Sequence, residues 1–120
     1  MRNLKVKVKS AKGRSISSTR WLQRQLNDPF VKEAKLQGFR SRSAFKLKEI
    51  NNKFNLLKKG HTVLDLGCAP GGWCQVAAQK VGVKPSEELV VGLDLKSCEP
   101  IVGVKFVEID FLDETQYLEF

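Results

Sequence analysis

The stretch of sequence that decides the fold is Asp65-Leu66-Gly67-Cys68-Ala69-Pro70-Gly71-Gly72-Trp73. It continues the β-branched and apolar run of residues 62–66 and leads into a helical pattern over residues 73–81. The stretch therefore predicts a glycine-rich turn from a buried strand to a helix. Such a turn lets a ligand approach the backbone closely and offers it free amides at the start of the helix.

The spacing of the glycines disfavours the common phosphate-binding loops. Glycines at positions 67, 71 and 72 do not follow the G-x-G-x-x-G pattern, and Pro70 removes one amide donor. The P-loop pattern also fails, because no Lys-Ser or Lys-Thr follows Gly72. We therefore predict a ligand other than a polyphosphate, and keep a dinucleotide or nucleotide-sugar enzyme of Rossmann type as a weaker alternative.

Three carboxylates lie in or just after the predicted strands. Asp65 belongs to the first strand, Asp94 follows the strand at residues 89–93, and Asp110 follows the strand at residues 104–109. In open α/β sheets the ligand lies beyond the carboxyl ends of the strands, where an acid can accept both ribose hydroxyls of an adenosine. Acids at this edge would repel a polyphosphate but suit an adenosine with a zwitterionic tail.

Each of these residues alone would more often be a turn or cap residue, so the prediction of a nucleoside-cofactor site depends on their joint placement. Trp73 is compatible with two roles, namely stacking on the ligand or packing in the core.

The order of the remaining elements predicts an α/β fold with parallel strands and flanking helices. The first organised segment is predicted at residues 28–37, with Asp28 as its cap, followed by a helix from Ser41 or Ser43 to Phe54. Residues 1–16 are predicted to form a basic arm that is solvated or flexible. At 120 residues the chain is near the lower end of the size range for one α/β domain.

Charge is distributed unevenly along the chain. Residues 1–48 contain 14 Lys or Arg against 2 Asp or Glu, a net charge of +12, whereas residues 49–120 carry a net charge of −4. The basic third is typical of a surface that binds nucleic-acid phosphates. No apolar run approaches the roughly 18 residues of a membrane span, so we expect no membrane partner.

The cysteines point to a reducing compartment. Cys68, Cys74 and Cys98 are odd in number, contain no C-x-x-C pair and follow no secretory signal. We expect reduced thiols, a cytoplasmic protein and no metal site. Organellar targeting stays as a minor alternative, because the N-terminal segment lacks acidic residues before Asp28.

From residue 17 onward the chain resembles the FtsJ/RrmJ-type (RlmE-like) ribosomal RNA 2′-O-methyltransferases. The combination R-S-R-x-x-[FY]-K-L followed by D-L-G-x-x-P-G-G-W is highly specific. The resemblance is carried by S-S-T-R-W-L at 17–22, G-F-R-S-R-S-A-F-K-L at 38–47, the loop at 65–73, G-L-D-L at 92–95, P-I-V-G-V at 100–104 and D-F at 110–111.

The resemblance implies an S-adenosylmethionine-dependent methyltransferase (Rossmann-like) fold and methyl transfer to a ribose 2′-hydroxyl, of uridine, in large-subunit ribosomal RNA. It implies contacts to S-adenosyl-L-methionine from the loop glycines, particularly Gly71, and from Trp73, Asp94 and Asp110. It also assigns Lys46 to the family's catalytic Lys-Asp-Lys-Glu set. A lysine there can stabilise developing negative charge as the hydroxyl is deprotonated and attacks the methyl group.

The family pattern continues for several strands that supply the other catalytic residues. The resemblance therefore implies a truncated form, in which residues 17–120 are the N-terminal part of a single methyltransferase domain. A catalytically incomplete remnant that binds RNA or the ribosome is the alternative function. Three strands with an incomplete face would expose a sheet edge, so we also expect marginal stability or self-association.

Overall fold

The computed structural model describes residues 13, 15–82, 84 and 87–118. In this part of the chain, helices flank one face of a three-stranded parallel sheet of order β1-β2-β3. The elements are α1 (Ile16–Asn27), α2 (Pro29–Gln37), α3 (Ser43–Phe54), β1 (Val63–Leu66), α4 (Gly72–Val81), β2 (Val90–Asp94), β3 (Val104–Glu108) and α5 (Glu114–Leu118). The predicted α/β fold with parallel strands is confirmed.

Helix α1 was not predicted, because the first organised segment was expected to begin at Asp28. The side chain of Ser15 accepts a hydrogen bond from the Ser18 amide at 3.1 Å, so it caps the start of this helix. The helix packs against α2. Residues 1–12 and 14 of the predicted basic arm lie outside the described residues, and Ile16, its last residue, already belongs to α1.

Helices α2 and α3 begin and end as the sequence predicts. Asp28 caps α2 by accepting from the Phe30 amide at 2.8 Å, and Gly38 ends it in the left-handed region at φ 78°. The two helices pack together and onto α4 through one apolar cluster. Its buried members are Ala34, Phe39, Ala44, Leu47 and Val76.

Helix α4 packs against β1 and β2 and covers one face of the sheet. Ala77 and Val81 are buried on the sheet side, as expected, whereas Val76, predicted to pack there too, is buried in the cluster with α2 and α3. Gly92 of β2 lies under this helix, where a Cβ atom would approach the Cys68 sulfur to 2.8 Å and the Cys74 sulfur to 3.0 Å. The helix and the preceding loop can therefore sit this close to the sheet only over a glycine.

The described residues leave the opposite face of the sheet open along β1, although Leu93 of β2, which lies on that face, is only 5% exposed. Leu64 and Leu66 alternate with the α4-facing residues of β1 and are 56% and 62% exposed. Strand β1 is also an edge of the sheet. The predicted exposed edge and incomplete face are thus confirmed. None of the described helices is long and apolar enough to cross a membrane.

Candidate functional site

The loop between β1 and α4 is anchored to the end of the neighbouring strand. The amides of Gly67 and Cys68 both donate to the Leu93 carbonyl, at 2.7 and 3.1 Å. Gly67 has φ +74°, and a Cβ atom built there would meet nothing within 4 Å. The backbone at Gly67 therefore faces open space, where a ligand can approach it closely.

The two later glycines of the loop have a packing role. A Cβ atom on Gly71, which has φ +117°, would lie 3.2 Å from the Arg40 Nη1 atom and 3.4 Å from Ile101 Cδ1. A Cβ atom on Gly72 would lie 2.4 Å from Ser41 Oγ. The segment between α2 and α3 therefore packs directly on the start of α4. This packing explains a glycine at position 71 without any ligand contact.

Arg40 connects three parts of the site. Its Nη1 group donates to the carbonyls of Pro70 at 3.2 Å and Glu99 at 2.5 Å, and its Nη2 group donates to Pro100 at 2.9 Å. Arg42 is occupied as well, because it forms an ion pair with Asp28. Both arginines of the R-S-R motif thus hold the fold together, Arg40 at the loop and Arg42 at Asp28. The expected phosphate contacts of the basic third therefore fall to its other Lys and Arg residues.

Asp94 joins the loop to the carboxyl end of β2. Its Oδ2 atom accepts from the Ala69 amide at 2.9 Å and its Oδ1 atom from the Lys96 amide at 2.9 Å. These backbone hydrogen bonds hold the pKa of the Asp94 carboxyl below its usual value. The group is therefore ionised at neutral pH, and each oxygen keeps capacity to accept another hydrogen bond.

Asp65 has the opposite electrostatic environment. Burial raises the pKa of its carboxyl above the usual value, and the Cys74 thiol donates to its Oδ2 atom at 3.2 Å. Asp110 lies beyond β3, where its Oδ1 atom accepts from the Leu112 amide at 2.9 Å. The Ile109 amide donates to the Asp94 carbonyl at 2.8 Å, which places Asp110 one residue past the last link between the two strand ends.

A cavity of about 270 Å³ lies against the loop. Asp65, Gly67 and Trp73 line it, together with Ser41, Ser43, Leu66, Cys68, Ala69, Pro70 and Gly72. A second cavity of about 170 Å³ shares Cys68 with the first. It extends over the ends of β2 and β3, where it is lined by Gly92, Lys96, Ser97, Cys98, Phe106, Val107 and Glu108.

Trp73 lies at the surface of the first cavity. Its indole Nε1 group donates to the Ser43 carbonyl at 2.8 Å, and the side chain is 37% exposed. This hydrogen bond holds the ring across the start of α3. The arrangement favours shelter of a ligand over the core-packing alternative.

Lys46 lines a different cleft, of about 380 Å³, between the starts of α2 and α3. We call this the α2–α3 cleft; its lining consists of Phe30, Arg42, Ser43, Phe45, Lys46 and Glu49. Ser43 lines both this cleft and the loop cavity. The structure therefore places Lys46 beside the loop cavity, in an adjoining depression of the surface.

The two neighbouring cavities, which share Cys68, suit a ligand with hydroxyl and cationic groups. Asp94 is not among the lining residues of either cavity, but its ionised carboxylate is bonded to the amides of Ala69 and Lys96, which line one cavity each. Together with the open backbone at Gly67 it can serve such groups, whereas Asp65 and Asp94 would repel a phosphate. Within the described part of the chain, no group of three or more His, Cys, Asp or Glu side chains is placed to hold a metal ion.

Sequence reasoning missed the residues that assemble the site from a distance. Ser41 and Ser43 lie in a predicted motif, but only the fold brings them to the cavity wall. Cys68 was treated only as a reduced thiol, yet it is the residue shared by the two cavities. The one available signal was their position in sequence, because Ser41 is the serine of the R-S-R motif and Ser43 follows it directly.

Comparisons with known proteins agree with this geometry. The sequence profile described as FtsJ-like methyltransferase matches residues 39–120. Proteins named ribosomal RNA large subunit methyltransferase E, from Ruegeria pomeroyi and Azorhizobium caulinodans, are each 54% identical to this chain. The matches cover 94% and 95% of the chain but 51% and 48% of those relatives, so the chain spans about half the length of the curated relatives.

A solved structure is similar as well. A protein of Plasmodium falciparum, described as a ribosomal RNA methyltransferase, superposes with a TM-score of 0.54 and is 38% identical. The match covers 64% of this chain and 41% of that protein. With the loop, the strand-end acids and the profile match in agreement, this chain belongs to the FtsJ-like methyltransferase family.

Proposed function

We propose that the chain binds S-adenosyl-L-methionine at the loop cavity and forms the cofactor-binding part of a ribosomal RNA 2′-O-methyltransferase. The observation that carries the proposal is the Asp94 carboxylate, which links the loop amide of Ala69 to the end of β2 and is ionised at neutral pH. An acid at this position of a parallel sheet can accept both hydroxyls of an adenosine ribose.

The remaining site residues take complementary roles in this proposal. The bound cofactor supplies a methyl group on a positively charged sulfur. Gly67 allows backbone contact with it, Asp65 offers a carboxylate to the cationic end, and Trp73 shelters the cavity from water, whereas Gly71 lines neither cavity and supports the loop by its packing against Arg40. Asp110 extends the acidic edge past β3. The residues present fit the group, because they combine an open loop backbone with carboxylates rather than phosphate-binding cations.

The acceptor in this proposal is a ribose 2′-hydroxyl, of uridine, in the RNA of the large ribosomal subunit. Support for an RNA acceptor in the large ribosomal subunit comes from the names of the relatives, ribosomal RNA large subunit methyltransferase E, and from the net charge of +12 over residues 1–48. The choice of a uridine 2′-hydroxyl follows the family resemblance. Lys46 lies in the α2–α3 cleft beside the loop cavity. There its ammonium group can orient the RNA and stabilise negative charge that develops on the attacking oxygen.

Calorimetric titration with S-adenosyl-L-methionine tests the cofactor site. We expect micromolar binding by the chain and at least about tenfold weaker binding by Asp94→Ala, because two charge-assisted contacts and the loop anchor are lost. Asp113→Ala is the matched control, since Asp113 is also an aspartate that accepts backbone hydrogen bonds, but it caps α5 through the Thr115 amide instead of the loop. Millimolar or undetectable binding by the unaltered chain would contradict the proposal.

The methyl-transfer reaction is tested with a protein that contains this sequence and has the full length of the curated relatives. With ribosomal particles and labelled cofactor, we expect the label on ribose and a loss of at least about a hundredfold in rate for Lys46→Ala. Lys35→Ala, an exposed lysine of α2 outside the cleft, should transfer methyl groups normally. Label on a base, or no label in RNA, would reject the reaction.

A second candidate is RNA or ribosome binding without turnover. It is favoured by the basic N-terminal third together with a match to only about half of each relative. The same calorimetry separates the two candidates. Binding of RNA without binding of the cofactor would favour the second.

A further inference from the structure

We propose that the α2–α3 cleft holds a nucleobase of the RNA, stacked on the ring of Phe30. The inference deepens the proposed function and rests on it, because it names the part of the RNA that this surface takes. The cleft has a volume of about 380 Å³, within the usual range of small-ligand pockets.

The aromatic rings of the cleft form a row that runs from the core to solvent. Phe39 is 8% exposed and meets Phe45 edge-on, with ring centroids 5.7 Å apart. Phe45 in turn lies 6.2 Å from Phe30, which is 57% exposed. The row is thus supported from the core and ends in a free aromatic ring, the kind of platform on which RNA bases stack.

Phe30 is held in position before any ligand arrives. Its amide donates to the Asp28 Oδ1 atom at 2.8 Å, and Asp28 also forms an ion pair with Arg42 at the start of α3. These contacts join the two walls of the cleft. They fix the backbone that carries the Phe30 ring, so less conformational entropy is lost when a base stacks on the ring.

The charges of the cleft suit a neutral planar ring better than a phosphate. Arg42 is paired with Asp28, and the cation Lys46 is accompanied by the anion Glu49 on the same helix. The surrounding N-terminal third is strongly basic, so RNA is attracted to this side of the molecule. The compensated charges inside the cleft then favour binding of a neutral nucleobase over binding of the RNA phosphate backbone.

The location of the cleft connects it to the cofactor site. Ser43 lines both the cleft and the loop cavity, and its carbonyl accepts the hydrogen bond of Trp73. A base stacked on Phe30 would thus place its own nucleotide, or the next one, beside the loop. Phe30 is accordingly inferred to be a positioning residue for the acceptor.

Photochemical cross-linking tests this contact directly. The probe is a short single-stranded oligouridylate with one 5-iodouridine, irradiated in complex with the chain and mapped by mass spectrometry. We expect the cross-link at Phe30 or at its neighbour Phe45. Bound RNA that cross-links only at Trp21, at Trp73 or nowhere would overturn the proposal.

Affinity measurements with three variants give a second readout. Phe30→Leu keeps apolar volume but removes the ring, and should weaken binding of the oligouridylate on the order of tenfold. Phe30→Tyr should restore affinity to within about twofold, as a stacking ring would. Leu36→Ala is the control, because Leu36 lies on the same helix, is 81% exposed and is outside the cleft lining.

Normal RNA affinity of Phe30→Leu would overturn the inference, and so would an unaltered chain that fails to bind the oligouridylate. The cofactor titration tells the two levels apart. If S-adenosyl-L-methionine binds normally while Phe30 proves irrelevant to RNA, the base-stacking inference fails and the proposed cofactor site stands.

Discussion

The two faces of the sheet are built from the same three strands and similar apolar residues, yet along β1 the described residues cover only one of them. On the α4 side Val90 is fully buried and Gly92 lies against two cysteine sulfurs. On the other side Leu64 and Leu66 are more than half exposed. The covered face also carries Asp65 and the loop anchor Asp94, so the packed layer is the one that positions the candidate site.

The contrast is informative because parallel sheets are normally covered on both faces. Apolar residues in β1 indicate a buried strand, but they do not indicate which side is buried within a given stretch of chain. Variants on each face test whether the buried and the exposed side chains contribute unequally to the free energy of unfolding.

The largest effect is expected from Gly92→Ala on the covered face. The added Cβ atom would approach the Cys68 and Cys74 sulfurs and the Phe106 ring to 3.0 Å or less, so it has no free direction. We expect a loss of about 3 kcal/mol in the free energy of unfolding, measured by denaturant titration. Adding Cys68→Ala should recover part of this loss, and an unchanged stability for Gly92→Ala would contradict the close packing.

A direct comparison of the faces uses Val90→Ala and Leu64→Ala. Val90 is fully buried, so its truncation should cost about 2 kcal/mol in the free energy of unfolding. Leu64 is 56% exposed, and its truncation should cost below about 0.5 kcal/mol. Equal losses in the same denaturation experiment would show that the second face is covered in solution.

The two carboxylates of the covered face predict opposite pH dependence. Asp94 has a lowered pKa when folded, so its stabilising contribution is present above the unfolded value and is lost as pH falls through the folded value. Asp94→Asn should therefore cost about 1 kcal/mol near neutral pH and progressively less below about pH 4.

The matched variant is Asp65→Asn, for which we expect the opposite pH dependence of stability. The pKa of Asp65 is raised when folded, so stability falls as pH rises from the unfolded value to the folded value. Asp65→Asn should lack this fall and gain relative stability above that window. Thermal melts over a pH series measure both trends, and parallel behaviour of the two variants would contradict the assigned environments.

The smallest change in folding free energy is expected from Leu64→Ser combined with Leu66→Ser. Both side chains are already exposed, so the fold should keep its stability, while self-association through the open face should decrease. Sedimentation velocity at several concentrations measures this. Leu36→Ser is the control, and identical sedimentation of the unaltered chain and the double variant would reject association through this face.

Local rules predicted the elements whose signals lie within a few residues. Asp28, Pro29 and Gly38 define α2 by capping alone, and the glycine-rich turn located α4 and its strand. Helix α1 was missed because the first organised segment was expected only from Asp28, although residues 17–27 were assigned to the folded domain. Its capping signal, Ser15, is a single residue next to the predicted basic arm and was not used.

The sequence predicted which types of residue form the site, but it did not predict all the contacts that hold them in place. Of the residues predicted for the site, Asp65, Gly67 and Trp73 line one cavity and Asp94 anchors its loop, whereas Gly71 and Asp110 line neither cavity. The clamp by Arg40 could not be predicted, because its acceptors lie 30 and about 60 residues away in sequence. An arginine in a basic segment looks like a phosphate ligand until its carbonyl partners are known.

The most direct test of the cofactor-binding account is a nuclear magnetic resonance titration of the isotope-labelled chain with S-adenosyl-L-methionine. We predict saturable shifts, at micromolar concentrations, of the amide signals of Gly67, Ala69 and Lys96, with the signals of α1 unchanged. An absence of shifts up to millimolar cofactor, or shifts spread evenly over α1 and the loop, would contradict the account.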